Sequence, residues 1–158
     1  MDQDTPWYDN VVIAALLRHA RTTYGKAMRD ALDAAGYDDI PGNGLYIIGG
    51  LAIGAGGVPI RQLMRELSIT KQGAGQLVDT LVSRGYLQRT PDEADRRQII
   101  VTLTERGQAA AEAQAAARAR IDAELLARVG PDDVAALRRA LGTLINMRHE
   151  AELEDPAH

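Results

Sequence analysis

The chain has 158 residues, of which 46 % are apolar and 25 % charged, with a formal net charge of −4; that is enough length for a domain with a real core and the composition of a globular rather than a disordered chain. It contains no cysteine, which excludes disulfide staples, thiol redox sensing and cysteine zinc sites. Aromatic residues make up only 4 %, with no phenylalanine, so Ala, Leu, Ile and Val must build the core, and helices are favoured. No apolar run reaches about 18 residues and the start is polar and acidic, so neither a membrane span nor a signal peptide is expected and the cytoplasm is the default location. Residues 1–60 carry 4 basic and 7 acidic side chains, residues 61–106 carry 8 and 6, and residues 107–158 carry 6 and 9. A basic centre between acidic flanks suits a nucleic-acid reader on an acidic scaffold, because affinity for phosphate comes from Lys and Arg.

Residues 9–35 read as a long helix capped by Asp9 or Asn10, with Val12, Leu16, Met28 and Leu32 on its apolar face and Gly36 as its stop. Pro41 is expected to open a second helix, weakened at its end by the glycines from Gly49 to Gly57. A short third helix is expected from about Pro59 to Leu67, presenting Ile60, Leu63, Met64 and Leu67 on one face. After a turn at Ser68-Ile69, Thr70 caps a fourth helix that reaches Arg84, with Ala74, Leu77 or Val78, and Leu81 as its buried stripe. Gly85 ends it. The period then changes from 3.6 to 2. Residues 86–90 and 98–103 read as two strands joined by the polar turn 91–97. Thr104 caps a fifth helix, and its alanine-rich stretch Ala109–Ala119 is helix rather than linker because Ala is the best helix former. Gly130-Pro131 separates it from a sixth, striped by Val134, Leu137, Leu141, Leu144 and Ile145. The tail after Glu150 is expected to fray.

Helix, short turn, helix and then a two-stranded hairpin is a winged helix-turn-helix: mainly α, with a small β-hairpin wing. In such a unit the second helix enters the major groove with its N-terminal residues leading. A helix built only for stability would carry Asp or Glu in its first turn. Here Lys71 and Gln72 stand there, and no acid precedes Asp79. Gly73 and Gly75 each cost about 1 kcal/mol relative to Ala, unless they serve only a tight helix crossing. Thr70, Lys71, Gln72 and Gln76 are therefore the candidate major-groove residues. Arg96 and Arg97 sit near the hairpin tip, where a thin wing can reach the minor groove. Asp95 is read as an orienting partner of Arg97, Arg84 or Arg61. Taken alone, the same charges read as a solvated run.

Ile60-Arg61-Gln62-Leu63, Leu67-Ser68-Ile69-Thr70-Lys71-Gln72, Leu77-Val78-Asp79-Thr80-Leu81, Arg84-Gly85-Tyr86-Leu87-Gln88-Arg89, Pro91, Asp95-Arg96-Arg97 and Val101-Thr102-Leu103-Thr104-Glu105-Arg106-Gly107 together resemble the MarR family of bacterial transcription regulators. The resemblance covers residues 58–107 at motif level, and its Asp-Arg-Arg wing followed by Leu-Thr is the specific part. Members often carry Thr or Ser where Gly73 and Gly75 stand, and Arg near Gln76, so fewer direct base contacts are expected here. The resemblance implies a dimer with interlocked terminal helices, a pseudo-palindromic duplex operator, and a repressor released by a small aromatic or phenolic effector. It divides the chain into a dimerisation helix (1–40), a DNA-binding lobe (41–104), dimerisation helices (105–150) and a tail (151–158). Independently, the terminal stripes have too little surface to bury against within so small a lobe, which also favours a homodimer.

The resemblance also implies an effector pocket between the dimer helices and the lobe. Its candidate lining is Trp7, Tyr8, Arg18, His19, Tyr24, Tyr46 and Ile47, an aromatic wall with a cation suited to an aromatic carboxylate; each also reads as an ordinary core or interface residue. His19, His149 and His158 are scattered and form no H-x-x-x-H pair, so no metal and no cofactor are expected. No nucleophile elbow, P-loop or dinucleotide fingerprint is present, which argues against an enzyme. The competing class is a winged-helix protein-interaction module without specific DNA binding. It calls for a neutral recognition helix and a blunt wing, against which Lys71, Arg96 and Arg97 speak.

Overall fold

The computed structural model of the protein describes residues 6–54, 58–59 and 70–154. The chain divides into two compact units, residues 1–118 and 119–158. The first begins with a 3-10 turn, Trp7–Asn10, followed by helix α1 (Ile13–Ala34) and helix α2 (Gly44–Ile53). A two-residue strand β1 (Val58–Pro59), helix α3 (Lys71–Ser83) and strands β2 (Leu87–Pro91) and β3 (Ile99–Leu103) follow. Helix α4 (Glu105–Val129) starts in the first unit. The second unit holds the rest of α4 and helix α5 (Pro131–Glu154), with Asp132 and Asp133 in its first turn, where they suit the helix dipole. Among the described residues, no helix is long and apolar enough to cross a membrane.

Several boundaries differ from the sequence expectation. The first helix does not begin at Asp9: Val11 and Val12 are extended, and α1 starts at Ile13 without a side-chain cap. Two adjacent β-branched residues are stiff at χ1 and favour extended backbone. Pro41 does not open α2 either. Its carbonyl accepts from Gly44 N–H at 2.8 Å, making a turn that delays the helix by three residues. Arg29 holds that turn, donating to the carbonyls of Ile40 (2.8 Å), Pro41 (3.3 Å) and Gly42 (3.4 Å).

The hairpin is also larger than expected. Val58 pairs with Val101 and Pro59 with Ile100, so residues 58–59 form an edge strand and the sheet order is β1-β3-β2, all antiparallel. Proline is tolerated on such an edge, where no ladder donor is missed. Both long strands start one residue late, in the register Leu87 with Leu103 through Pro91 with Ile99. At the other terminus α5 continues to Glu154 instead of fraying at 150, consistent with the absence of Gly and Pro from 143 to 154. Of the helix expected from about Pro59 to Leu67, Pro59 instead ends strand β1, paired with Ile100; the rest of it, the Ser68-Ile69 turn, Arg61 and His158 lie outside the described residues.

The core of the first unit gathers Met28 and Leu32 from α1, Leu45, Ile47, Ile48 and Leu51 from α2, Val78 and Leu81 from α3, and Ala110, Ala111 and Ala117 from α4. Tyr86, Leu87 and Val101 close it from the sheet. Helices α1 and α3 stop by the same device. Gly36 (φ +84°) and Gly85 (φ +79°) adopt the left-handed conformation that a Cβ resists. Gly36 N–H donates to Asp33 and Tyr37 N–H to Leu32, as Gly85 N–H does to Val82 and Tyr86 N–H to Leu81. These are paired Schellman caps, and each delivers a tyrosine just past its helix. The two rings meet edge to face, 6.1 Å between centroids. Small size matters again at Gly107 in α4, where a Cβ would lie 2.1 Å from the Tyr86 carbonyl oxygen.

Candidate nucleic-acid interface

Helix α3 begins as its sequence requires. Thr70 is extended (φ −66°, ψ 157°), and its hydroxyl accepts the Gly73 N–H at 3.1 Å. No acid stands in the first turn, so the helix itself supplies no carboxylate to the positive end of its dipole. Gln72 and Gln76 are exposed on this helix, and Lys71 is its first residue, with a side chain outside the described set. Among the described residues nothing lies within 4 Å of the place a Gly75 Cβ would take. Gly73, Gln76, Leu77 and Thr80 line an open cleft of about 470 Å³ with Pro41, Gly42 and Asn43. Further along, Asp79 pairs with Arg89 on β2, tying helix to sheet.

The wing turn is held by carboxylates. Asp92 accepts Ala94 N–H at 2.9 Å, and Asp95 accepts Arg97 N–H at 3.1 Å while its second oxygen takes the Gln98 amide at 3.4 Å. Asp95 thus shapes the backbone that carries Arg97; among the described residues it forms no ion pair with Arg97 or Arg84. Arg84 instead donates to the Asp39 carbonyl. Arg96 and Arg97 are exposed, and among the described residues neither is in an ion pair. Two exposed guanidiniums on a hydrogen-bonded turn can meet phosphates or a narrow groove.

The proposed effector residues divide. Trp7 is 73 % exposed and packs edge to face on Tyr8, and Arg18 and His19 are exposed too. Tyr24 and Tyr46 are half-buried against the core, with the Arg21 guanidinium 4.5 Å over the Tyr46 ring. Ile47 is buried.

A cluster that sequence reasoning missed sits behind α3. The Tyr86 hydroxyl donates to the Asp39 carboxylate, and Arg106 donates to that hydroxyl at 2.9 Å and to the same carboxylate at 3.3 Å. The Arg106 guanidinium also lies 4.6 Å over the Tyr86 ring and 5.8 Å over Tyr37. The Tyr86 hydroxyl, with help from Arg106, holds the Asp39 carboxyl below its ordinary value against the opposing effect of burial. Burial first, and then the Asp39 carboxylate, push the Tyr86 phenol up. The only sequence signal was a tyrosine next to a helix stop, whose hydroxyl must find a partner once buried.

Comparison with known proteins bears directly on this arrangement. The MarR family model matches residues 38–98, from the Asp39 turn through the wing. Over this stretch the chain is similar to the MarR family. It is similar to the HTH-type transcriptional regulator YwhA of Bacillus subtilis, 29 % identical over 99 residues, which are 63 % of this chain and 70 % of that protein. Among solved structures it is similar to Streptococcus pneumoniae FabT in complex with DNA, with TM-score 0.73, 19 % identity, and 88 % and 96 % of the two chains covered. The reduced form of MarR from E. coli superposes with TM-score 0.66 at 22 % identity, covering 85 % of this chain and 96 % of that one. The S. aureus MepR–DNA complex gives TM-score 0.69 at 16 % identity, covering 87 % and 99 %. At such identities these structures speak to the fold, a mainly helical winged helix-turn-helix.

Proposed function

We propose that this chain is a MarR-family transcription regulator that acts in the cytoplasm as a homodimeric repressor on a pseudo-palindromic duplex operator. In this reading Thr70, Lys71, Gln72 and Gln76 face the major groove. Arg96 and Arg97 follow the minor groove on a turn shaped by Asp95. The observation that carries the reading is the conjunction of an exposed first turn on α3 that carries no acid with two exposed wing arginines that form no ion pair among the described residues. The relatives FabT and MepR, both solved with DNA, support it.

The dimer rests on α5, where Leu137, Leu144, Ile145 and Met147 are between 43 % and 58 % exposed. A stripe of that kind on one helix calls for a partner surface, and a second copy supplies it with residues 1–40 and 105–150 as the dimerising parts. Trp7, Arg18, His19, Tyr24 and Tyr46 then gain their neighbours from the assembled dimer, where a small aromatic carboxylate or phenol would bind and release the DNA.

Fluorescence anisotropy on duplexes from the DNA flanking the gene, at two salt concentrations, tests the core of this reading. Specific, salt-dependent binding is expected, and Arg96→Ala should flatten the slope of log K against log salt by up to about 2 for a dimer. Absence of binding to any such duplex, with a protein partner captured instead, would favour the protein-interaction module. Benzoate and phenol are the first probes for release.

A further inference from the structure

The Asp39 cluster joins three parts of the molecule that are far apart in sequence. Tyr37 and Asp39 follow the α1 stop, Arg84 and Tyr86 flank the Gly85 stop of α3, and Arg106 lies in the first turn of α4. Thr104 reinforces the joint: its N–H donates to the Tyr86 carbonyl at 3.1 Å and its hydroxyl to the Gly85 carbonyl.

Stability alone does not account for the polar half of this joint. The Asp39 and Arg106 side chains are 42 % and 45 % exposed, and ion pairs so open to water contribute little. What a planar guanidinium does supply is direction, because its fixed fork meets hydroxyl and carboxylate at one angle. Helix α3 has 13 residues, about 20 Å at 1.5 Å per residue. A tilt of about 5° at its back end would move its front by about 1.7 Å, several times the ~0.5 Å within which a designed binding constellation must be held.

We propose that Asp39 and Tyr86, with Arg106, are positioning residues for DNA recognition: they set the angle at which Gln72 and Gln76 meet base edges. This rests on the DNA-binding reading above. It makes no claim on any contact between the cluster and DNA, and it predicts a loss of discrimination without a loss of phosphate contacts.

The experiment takes the duplex that the wild-type chain recovers from a randomised library and a scrambled duplex of equal length. Affinities for both, and their salt slopes, are measured for wild type, Tyr86→Phe, Asp39→Asn and Arg106→Lys. Tyr86→Phe keeps the ring under Arg106 and removes only the hydroxyl, so it is the variant least prone to misfold. The matched-to-scrambled ratio is expected to fall about ten-fold in Tyr86→Phe, the scale of one well-placed base contact, with the slope unchanged. Asp39→Asn is the sharper case. Removing an anion should tighten both duplexes alike if only charge mattered, whereas a positioning role lowers the ratio. Variants that melt earlier yet keep the wild-type ratio would overturn the proposal, as would a ratio that falls only together with the salt slope. If the wild-type chain recovers no preferred duplex, the DNA-binding reading itself fails and takes this one with it.

Discussion

The two ends of α3 are built in opposite ways. At the front, the helix carries one side-chain cap, the Thr70 hydroxyl accepting from Gly73 N–H, two glycines and no acid in its first turn. At the back, a Schellman cap, the Thr104 bonds to Gly85 and Tyr86, and the Asp39–Tyr86–Arg106 cluster fasten the helix to two other elements. A first turn without a carboxylate of its own is suited to a partner that brings negative charge. The back end carries the orientation that such a partner would read. Exposure and rigidity are thus separated along one helix, with the Asp79–Arg89 pair between them.

Substitutions that add a single methyl group test this division most severely. Gly107→Ala would place a Cβ 2.1 Å from the Tyr86 carbonyl oxygen, a backbone atom that cannot swing aside. A loss of about 3 kcal/mol or more in urea unfolding is expected, and a near-neutral result would show that the back end is not rigid. Next in size is a gain. Gln114 on α4 is fully buried, and neither amide atom has a hydrogen-bond partner among the described residues. Tyr86, equally buried in the same core, has its hydroxyl satisfied twice. Gln114→Met keeps length while removing both orphan groups, so stability should rise by about 1–3 kcal/mol. Unchanged or lower stability would mean that the amide finds a partner in solution.

These two positions also mark what the sequence could disclose. The Thr70 cap, the Gly36 and Gly85 stops, the α3 stripe of Ala74, Val78 and Leu81, and the hairpin were legible because each depends on residues within about a turn of one another. Boundaries failed where a distant group decides: Arg29 fixing the 40–42 turn ahead of α2, and β3 recruiting residues 58–59 as a third strand. The wing arginines and the α3 front were legible as charge pattern. Asp39 was not, because its partner Arg106 stands 67 residues away and no local pattern encodes that meeting.

At the front end, two substitutions should act with opposite signs. Thr70→Ala removes the cap and should cost about 1 kcal/mol. Gly75→Ala adds a methyl where the described residues leave space, and should stabilise the helix by up to about 1 kcal/mol through propensity. Both should nevertheless weaken DNA binding if this surface faces a duplex. Thermal melts paired with anisotropy titrations separate the two effects, and a Gly75→Ala variant that binds DNA as tightly as wild type would remove close backbone approach as the reason for that glycine.

The smallest effect expected is a pH signature confined to the back end. The Asp39 carboxyl is held below its ordinary 3.8, chiefly by the Tyr86 hydroxyl and then by Arg106. A depressed folded-state value means that the unfolded chain binds more protons in acid, so this contribution is complete above 3.8 and is lost as pH falls through the folded value. Tyr86 runs the other way. Burial raises its phenol above the ordinary 10.0, so its contribution is complete below 10.0 and is lost as pH rises through the folded value. Urea midpoints followed across pH should therefore show Asp39→Asn flattening only the acid limb and Tyr86→Phe chiefly the alkaline one. Thr70→Ala, which alters no titratable side chain, should lower the whole curve evenly. An acid limb that survives Asp39→Asn unchanged would assign it to other carboxylates and detach the cluster from the stability of the folded chain.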